Sequence, residues 1–266
     1  MSTLRVAWHL ERAAFRGQLE YRLDFVILLL MGVAYQSSGL AFIWVVLQRF
    51  DTIGGWSFHE LVFLYALRLL AHVVWYIPFN QIGYVDQLVR EGVFDQILVR
   101  PMNPLLQVMT RKFSMNIVGD AVLCVALFSY AVATAPVHLS AIDVVYIALA
   151  VLGGALAEGA FVLMVSSLAF RVLQTWALDY LVDNVYLMFG SYPLRIFGFA
   201  ASWAFTWIVP VAFVSYIPSS VLLGRSGELH IPTVVAGGAP AVGVLWFVLA
   251  YQVWRRQLRS YQSSGH

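Results

Sequence analysis

The stretch Phe25-Val-Ile-Leu-Leu-Leu-Met-Gly-Val-Ala-Tyr-Gln-Ser-Ser-Gly-Leu-Ala-Phe-Ile-Trp-Val-Val-Leu-Gln48 decides the architecture. Crossing the hydrocarbon core of a bilayer takes about 20 apolar residues in helix, because no water is present to satisfy free backbone groups. This run is long enough and carries no charge. Working outward, residues 61–80 form a second candidate span containing Arg68 and His72, and 113–135 a third, interrupted by Asp120. Residues 142–170 form a fourth, containing Glu158, and 231–254 a last one, closed by Arg255, Arg256 and Arg259. Between them, Trp176 to Gly190 is apolar but short, with Asp179, Asp183 and Asn184 inside it. After Ser191-Tyr192-Pro193 comes a long apolar run broken by Pro210 and Pro218. Prolines remove backbone donors and kink helices. Two readings therefore stand for 174–224: a short span followed by a broken, re-entrant segment, or a cytosolic helix followed by one full span. Either way the expected fold is all-α, a polytopic membrane protein of six transmembrane helices in one domain, 1–266.

Composition agrees. Only 11% of the residues are charged and 61% are apolar, against about 25% and 45–50% in soluble domains. The 9 tryptophans and 13 tyrosines suit rings at membrane–water interfaces. Cys124 is the single cysteine, so neither an internal disulfide nor a cysteine zinc cluster can form. The first apolar run starts too late and is too long for a cleavable signal. Basic residues lie near the ends of apolar segments and form no single patch, which argues against a nucleic-acid partner.

Charge also orients the chain. With six spans and a cytosolic N-terminus, twelve basic residues face the cytosol and only Arg49, Arg195 and Arg225 face outside; Arg68 lies within the membrane. The positive-inside rule therefore predicts that both termini are cytosolic. Residues 4–22 place Leu4, Trp8, Phe15 and Leu19 along one stripe beside Arg5, Arg12 and Arg16, a pattern for a helix lying in the inner interface.

The sequence contains no catalytic motif. GxxxxGK[ST], HExxH and GxSxG are all missing, and the six histidines are scattered, so neither a Walker-type ATP site nor a metal site is expected. His72, four residues after Arg68 on one helix face, reads as a hydrogen-bonded bundle residue. Ionisable groups inside a membrane are costly and mark either an internal pair or a polar path. Here they are Arg68, Asp120, Glu158, Asp179 and Asp183, with the last two on one helix face. The plainer expectation is that Arg68 pairs with a carboxylate to lock two helices and that Asp179 lies at the water boundary. The sharper one is a path. Small residues at four-residue spacing, Gly153 with Ala157, Ala155 with Gly159 and Gly237 with Ala241, permit close helix packing.

Between the second and third spans, residues 85–104 read as a short amphipathic element. Leu88, Phe94, Ile97 and Leu98 alternate with charged positions, Gly92 breaks the helix, and Arg100-Pro101 ends it. Tethered at both ends, such an element can receive force from a soluble partner or rest on the membrane surface. Its core, Arg90-Glu-Gly-Val-Phe-Asp-Gln-Ile-Leu-Val-Arg-Pro-Met-Asn-Pro104, resembles the loop of one subgroup of the ABC type-2 permeases, the membrane subunits of ATP-binding-cassette exporters. Residues 189–193, 208–210, 216–218 and 222–224 also resemble that family, where a fifth span is followed by a proline-marked external re-entrant segment. The resemblance implies a six-span half-transporter, paired with a second copy or a related permease, on which cytosolic ABC ATPase subunits dock. It assigns Glu91, Gly92, Phe94, Asp95, Leu98, Arg100 and Pro101 to the coupling helix, 4–22 to the interfacial helix and 192–224 to the re-entrant segment. The chain itself would bind no cofactor; ATP and Mg would sit on the partner ATPase. The implied location is the bacterial plasma (inner) membrane. The short, doubly acidic fifth span departs from the family pattern. A proton-coupled secondary transporter using the intramembrane carboxylates is the alternative, weakened by the lack of a visible internal repeat. A membrane-embedded enzyme is weaker still, for want of a clustered catalytic set.

Overall fold

The computed structural model describes residues 22–112, 116–137, 139–172, 174–229 and 231–262, all of them in helices, short 3-10 segments and connections. The expected interfacial helix at 4–22 lies outside the described residues save for its last position. Among the described residues twelve helices follow one another: α1 (Arg22–Leu47), α2 (Phe58–Phe79), α3 (Val85–Arg90), α4 (Val93–Leu98), α5 (Pro104–Met109) and α6 (Asn116–Thr134). Then come α7 (Ala141–Ser166), α8 (Trp176–Phe189), α9 (Gly198–Trp207), α10 (Tyr216–Leu222), α11 (Thr233–Gly237) and α12 (Ala239–Arg259).

Four of the described helical stretches are long and apolar enough to cross a membrane: Leu29–Leu47, Phe58–Arg90, Ile117–Thr134 and Ala141–Phe170. A fifth candidate is the pair Leu194–Trp207 and Val211–Leu222, bent by 80°. α12 has 21 residues, but its last turns carry the three arginines. The last apolar stretch is not continuous, because the chain breaks at Gly238 between α11 and α12.

α2 is the axis of the bundle. It packs between α6 and α7; α1 packs on α6 and also touches α2, and α12 packs on α7. A helix that is apolar all round belongs in the interior, and Leu61 through Leu69 are buried without a gap. α2 starts at a capping box in which Glu60 accepts from the Ser57 backbone N–H; α7 starts at a similar one, Ser140 with Asp143. The α7–α12 seam is closed by glycine against backbone. A Cβ at Gly153 would lie 2.5 Å from Pro240 Cα, and one at Gly243 would fall on the Gly153 carbonyl oxygen. Of the small-residue pairs, Gly153 is thus used for packing within the bundle, whereas a Cβ at Gly237 would meet nothing within 4 Å.

The break between α9 and α10 folds the chain back on itself. Near its start, Ile196 lies so close to Gly54 that a Cβ there would be 2.7 Å from the Ile196 side chain. Beyond its end, Arg225 donates to the Gly55 carbonyl (2.8 Å), pairs with Glu60 (3.2 Å) and lies over the Trp56 ring. Both ends therefore meet the same turn, residues 53–56, which joins α1 to α2. Between them, Val214 reaches Gly154 in α7, and the Ser215 hydroxyl donates to the Gly190 carbonyl at the end of α8.

The seam generates a prediction. Gly243→Ala forces backbone apart in a close-packed interface and should destabilise the protein by about 1–3 kcal/mol. Gly237→Ala, with open space around it, should not. Thermal unfolding of the two variants in detergent checks this; equal melting temperatures would contradict the packing described.

Candidate functional site: a buried charge cluster joined to a surface element

Four helices bring charged side chains to one place, with Asp183 at its exposed edge. Arg68 and His72 come from α2, Asp120 from α6, Glu158 from α7 and Asp183 from α8. Glu158 is wholly buried, and its Oε1 is 2.7 Å from His72 Nδ1. That bond joins α2 to α7 and gives the costly carboxylate a partner. The expected Arg68–carboxylate pair does not form: no carboxylate lies within 4.0 Å of Arg68 among the described residues, and His72 takes the pairing role instead. The register explains it, since His72 is one turn further along α2, level with Glu158. Arg68 is 2% exposed, and its Nε and Nη1 have no hydrogen-bond partner among the described residues.

A cavity of ≈ 300 Å³ opens beside this cluster. Arg68, His72, Asp120 and Asp183 line it, with Tyr35 and Gln36 from α1 closing another side. Gln36 is buried, accepts from the Tyr65 hydroxyl and sits beside Asp120. Gln36 carries no charge and so does not stand out by composition; its signal in the sequence is a lone amide within the apolar run of α1. A second cavity, of ≈ 370 Å³, is lined by Tyr76, Asp179 and Asp183 and by Asp86, Gln87 and Arg90 of α3. Tyr76 and Asp183 belong to both. The two cavities thus adjoin across Tyr76 and Asp183, marking a groove along α2 and α8 between the 85–90 element and Arg68. Asp179 lines the second cavity yet is itself largely buried, accepting from Ser166 Oγ at 2.9 Å and Thr175 Oγ1 at 3.3 Å, so it fixes the start of α8 against the end of α7.

At the outer end of the groove from Arg68, the 85–104 segment is two short helices. Gly92 separates α3 from α4 at φ +69°, a left-handed conformation that glycine adopts without a Cβ penalty. Asn103 caps α5, accepting from the Leu105 N–H with Pro104 at the first helical position. Phe94 is buried in a ring of aromatics, with centroids 5.0 Å from Phe170 in the 3-10 turn that continues α7, 6.5 Å from Trp254 of α12 and 5.3 Å from Tyr261. Asp95 accepts from the Tyr261 hydroxyl at 2.9 Å. Glu91, Leu98, Arg100 and Pro101 face outward. Leu98, read with the apolar face, instead joins Val99 on the exposed side. The segment is therefore seated on α7, α12 and the tail through Phe94 and Asp95, with an apolar and basic surface left free.

Burial, together with the bond to Asp95 and its negative charge, pushes the Tyr261 phenol up to about 12 from its ordinary value of 10.0. The folded protein thus favours the neutral, donating phenol. The contribution to stability is complete below pH 10.0 and is lost as pH rises through about 12. Tyr261→Phe keeps the ring and removes the bond, costing about 1 kcal/mol because water reaches the site. Amide exchange over α4 should speed up about fivefold in that variant; unchanged exchange would show that the bond does not hold the element.

Comparison with known proteins follows the same direction. A search of curated proteins found no match, and a search of solved structures found none either. Over residues 33–265 the sequence matches the family described as ABC-2 family transporter protein. That stretch takes in the charge cluster, the groove and the short-helix element alike. The match spans nearly all of the described structure, and the chain belongs to the ABC-2 family of transporter proteins.

Proposed function

We propose that this chain is the permease subunit of an ATP-driven exporter, and that the groove along α2 and α8 is its half of the transport path. The observation that carries the reading is that the two adjoining cavities reach from α3 to the buried charges around Arg68. A family of transport permeases supplies the class; the groove links the two parts that a driven transporter must connect. The cytosolic ATPase would dock on the outward face of the 85–104 element, against Leu98, Val99, Arg100 and Pro101. Glu91, Gly92, Phe94 and Asp95 would pass its movement to α7 and α12. ATP and Mg would bind on that partner, and differential binding to two states would drive the change.

Six spans fit the same reading. α1, α2, α6, α7 and α12 supply five. α8 has only 14 residues, about 21 Å of helix, against a hydrocarbon core of about 30 Å. The turn at 190–193 and the short 3-10 helix Leu194–Phe197 complete its crossing, ending at the 53–56 turn. The bent pair α9 and α10 then enters and leaves on one side, as a re-entrant hairpin, because both of its ends meet that turn. Arg49, Arg195 and Arg225 lie at this end, taken as the outside; Arg90, Arg171, Arg255 and Arg259 lie at the other, which puts the C-terminus in the cytosol. The membrane would be the bacterial inner membrane. The groove mouth, beside the exposed Tyr35 and Tyr180, would be covered by a second permease copy or a related chain.

Two measurements test this. Affinity purification should bring down an ABC ATPase with the chain, and vesicle transport should require ATP. Asp95→Ala and Arg100→Ala should reduce transport by about tenfold or more while ATP hydrolysis and membrane insertion persist, since each removes a charge-assisted contact worth about 1.5–3 kcal/mol. Transport on a proton gradient with no ATPase present would contradict the proposal, and unchanged export by both variants would remove the coupling role from those two residues.

A further inference from the structure

The cavity at Arg68 holds two opposite charges that do not meet. Arg68, 98% removed from solvent by its 2% exposure, keeps two guanidinium nitrogens without a hydrogen-bond partner. Asp120, 6% exposed, keeps Oδ1 without one. Both line the same ≈ 300 Å³ space, yet they form no ion pair among the described residues. An unpaired buried charge is among the most unfavourable features a membrane interior can carry. Arg68 on α2 and Asp120 on the adjoining α6, the latter partnered only by Gln36 among the described residues, face one cavity without meeting and amount to a gap of defined polarity.

The remaining charges around the gap narrow what would fill it. On α2, His72 is committed to Glu158 of α7 at 2.7 Å, although Glu158 Oε2 is left without a partner. Asp183 of α8 stands at the exposed mouth. α1 contributes only the uncharged Tyr35 and Gln36. A simple anion would satisfy Arg68 but sit beside Asp120 and Asp183. A simple cation would satisfy a carboxylate and leave Arg68 bare. A group with both charges satisfies Arg68 and Asp120 together and adds no net charge to the membrane interior.

We infer that this cavity binds the polar end of a zwitterionic amphiphile, with its anionic group on Arg68 and its ammonium on Asp120. The apolar tail leaves through the mouth between α1 and α8, past Met31 and Leu187. This deepens the permease reading by giving its path a substrate class, and rests on that reading for why such a molecule would enter. Binding itself needs neither ATP nor a partner chain. Failure of zwitterion selectivity would leave ATP-linked transport standing, and failure of ATP-linked transport would leave the binding site standing.

The test uses three probes with one C12 chain: dodecyl phosphoethanolamine, dodecyl phosphate and dodecylamine. Each is titrated into the full chain in nanodiscs, with thermal stabilisation as the readout. The zwitterion should bind about tenfold more tightly than either singly charged probe, the worth of one additional charge-assisted contact. Asp120→Asn should bring the zwitterion down to the level of dodecyl phosphate, and Arg68→Gln should bring it down to that of dodecylamine. If Arg68→Gln does not fold, the wild-type order and Asp120→Asn still decide. Equal affinity for all three probes, saturation by none of them, or an order unchanged in Asp120→Asn would overturn the inference. Nanodiscs of phosphatidylethanolamine against phosphatidylglycerol separate the sources. Weaker probe binding in the former identifies a membrane lipid as the occupant, and equal binding a soluble amphiphile; both support zwitterion recognition.

Discussion

Glu158 sits in the middle of α7 with no exposure to solvent, and His72 Nδ1 lies 2.7 Å from its carboxylate. In a medium that solvates charge poorly, that bond fixes the registration of α2 against α7, and everything else in the bundle is arranged around those two helices. α7 carries α12 along the glycine seam at Gly153, and α2 carries α6 on its other side. Because His72 is spent on Glu158, Arg68 one turn away is left facing a cavity. The strength of one pairing thus creates the vacancy beside it. A membrane protein that needed only to be stable would close such a vacancy with apolar side chains, which are cheaper to bury.

The same economy governs the end of the bundle that carries the 85–104 element. Phe94 is gripped by rings from α7, α12 and the tail, while Leu98 through Pro101 stay exposed. Half of the element is anchored in the bundle and half is offered to solvent. Displacing it would pull on the ends of α7 and α12 at once, and the groove begins beside it at Asp86 and Arg90.

Much of this was legible in the sequence, because lipid imposes simple demands. Length and lack of charge located α1, α2, α6 and α7 to within a few residues. Gly92 and Pro101 marked the limits of α4, since each acts through local backbone sterics. Arg68, Asp120, Glu158 and Asp183 stood out as rare charges in apolar runs, and the fold gathers all four. What could not be read was pairing. Whether Arg68 or His72 meets Glu158 depends on the axial offset of α2 against α7, a relation between residues 86 positions apart that no local pattern states. The Tyr261–Asp95 bond joins residues 166 positions apart, with no local pattern to announce it. The break at Gly238 was hidden for a related reason: hydropathy averages over a kink that only the packing of Pro240 on Gly153 makes visible.

The central claim, that the α2–α8 groove is a driven path, is tested most directly by its accessibility in two nucleotide states. Cys124 is the lone cysteine, so a Cys124→Ser background carrying Tyr180→Cys places one thiol in the groove. The complex with its ATPase, in vesicles of known orientation, is then labelled with a membrane-impermeant maleimide. The account predicts labelling from the cytosolic side without nucleotide and from the opposite side after trapping with ATP and vanadate. Labelling from the same side in both states would contradict it.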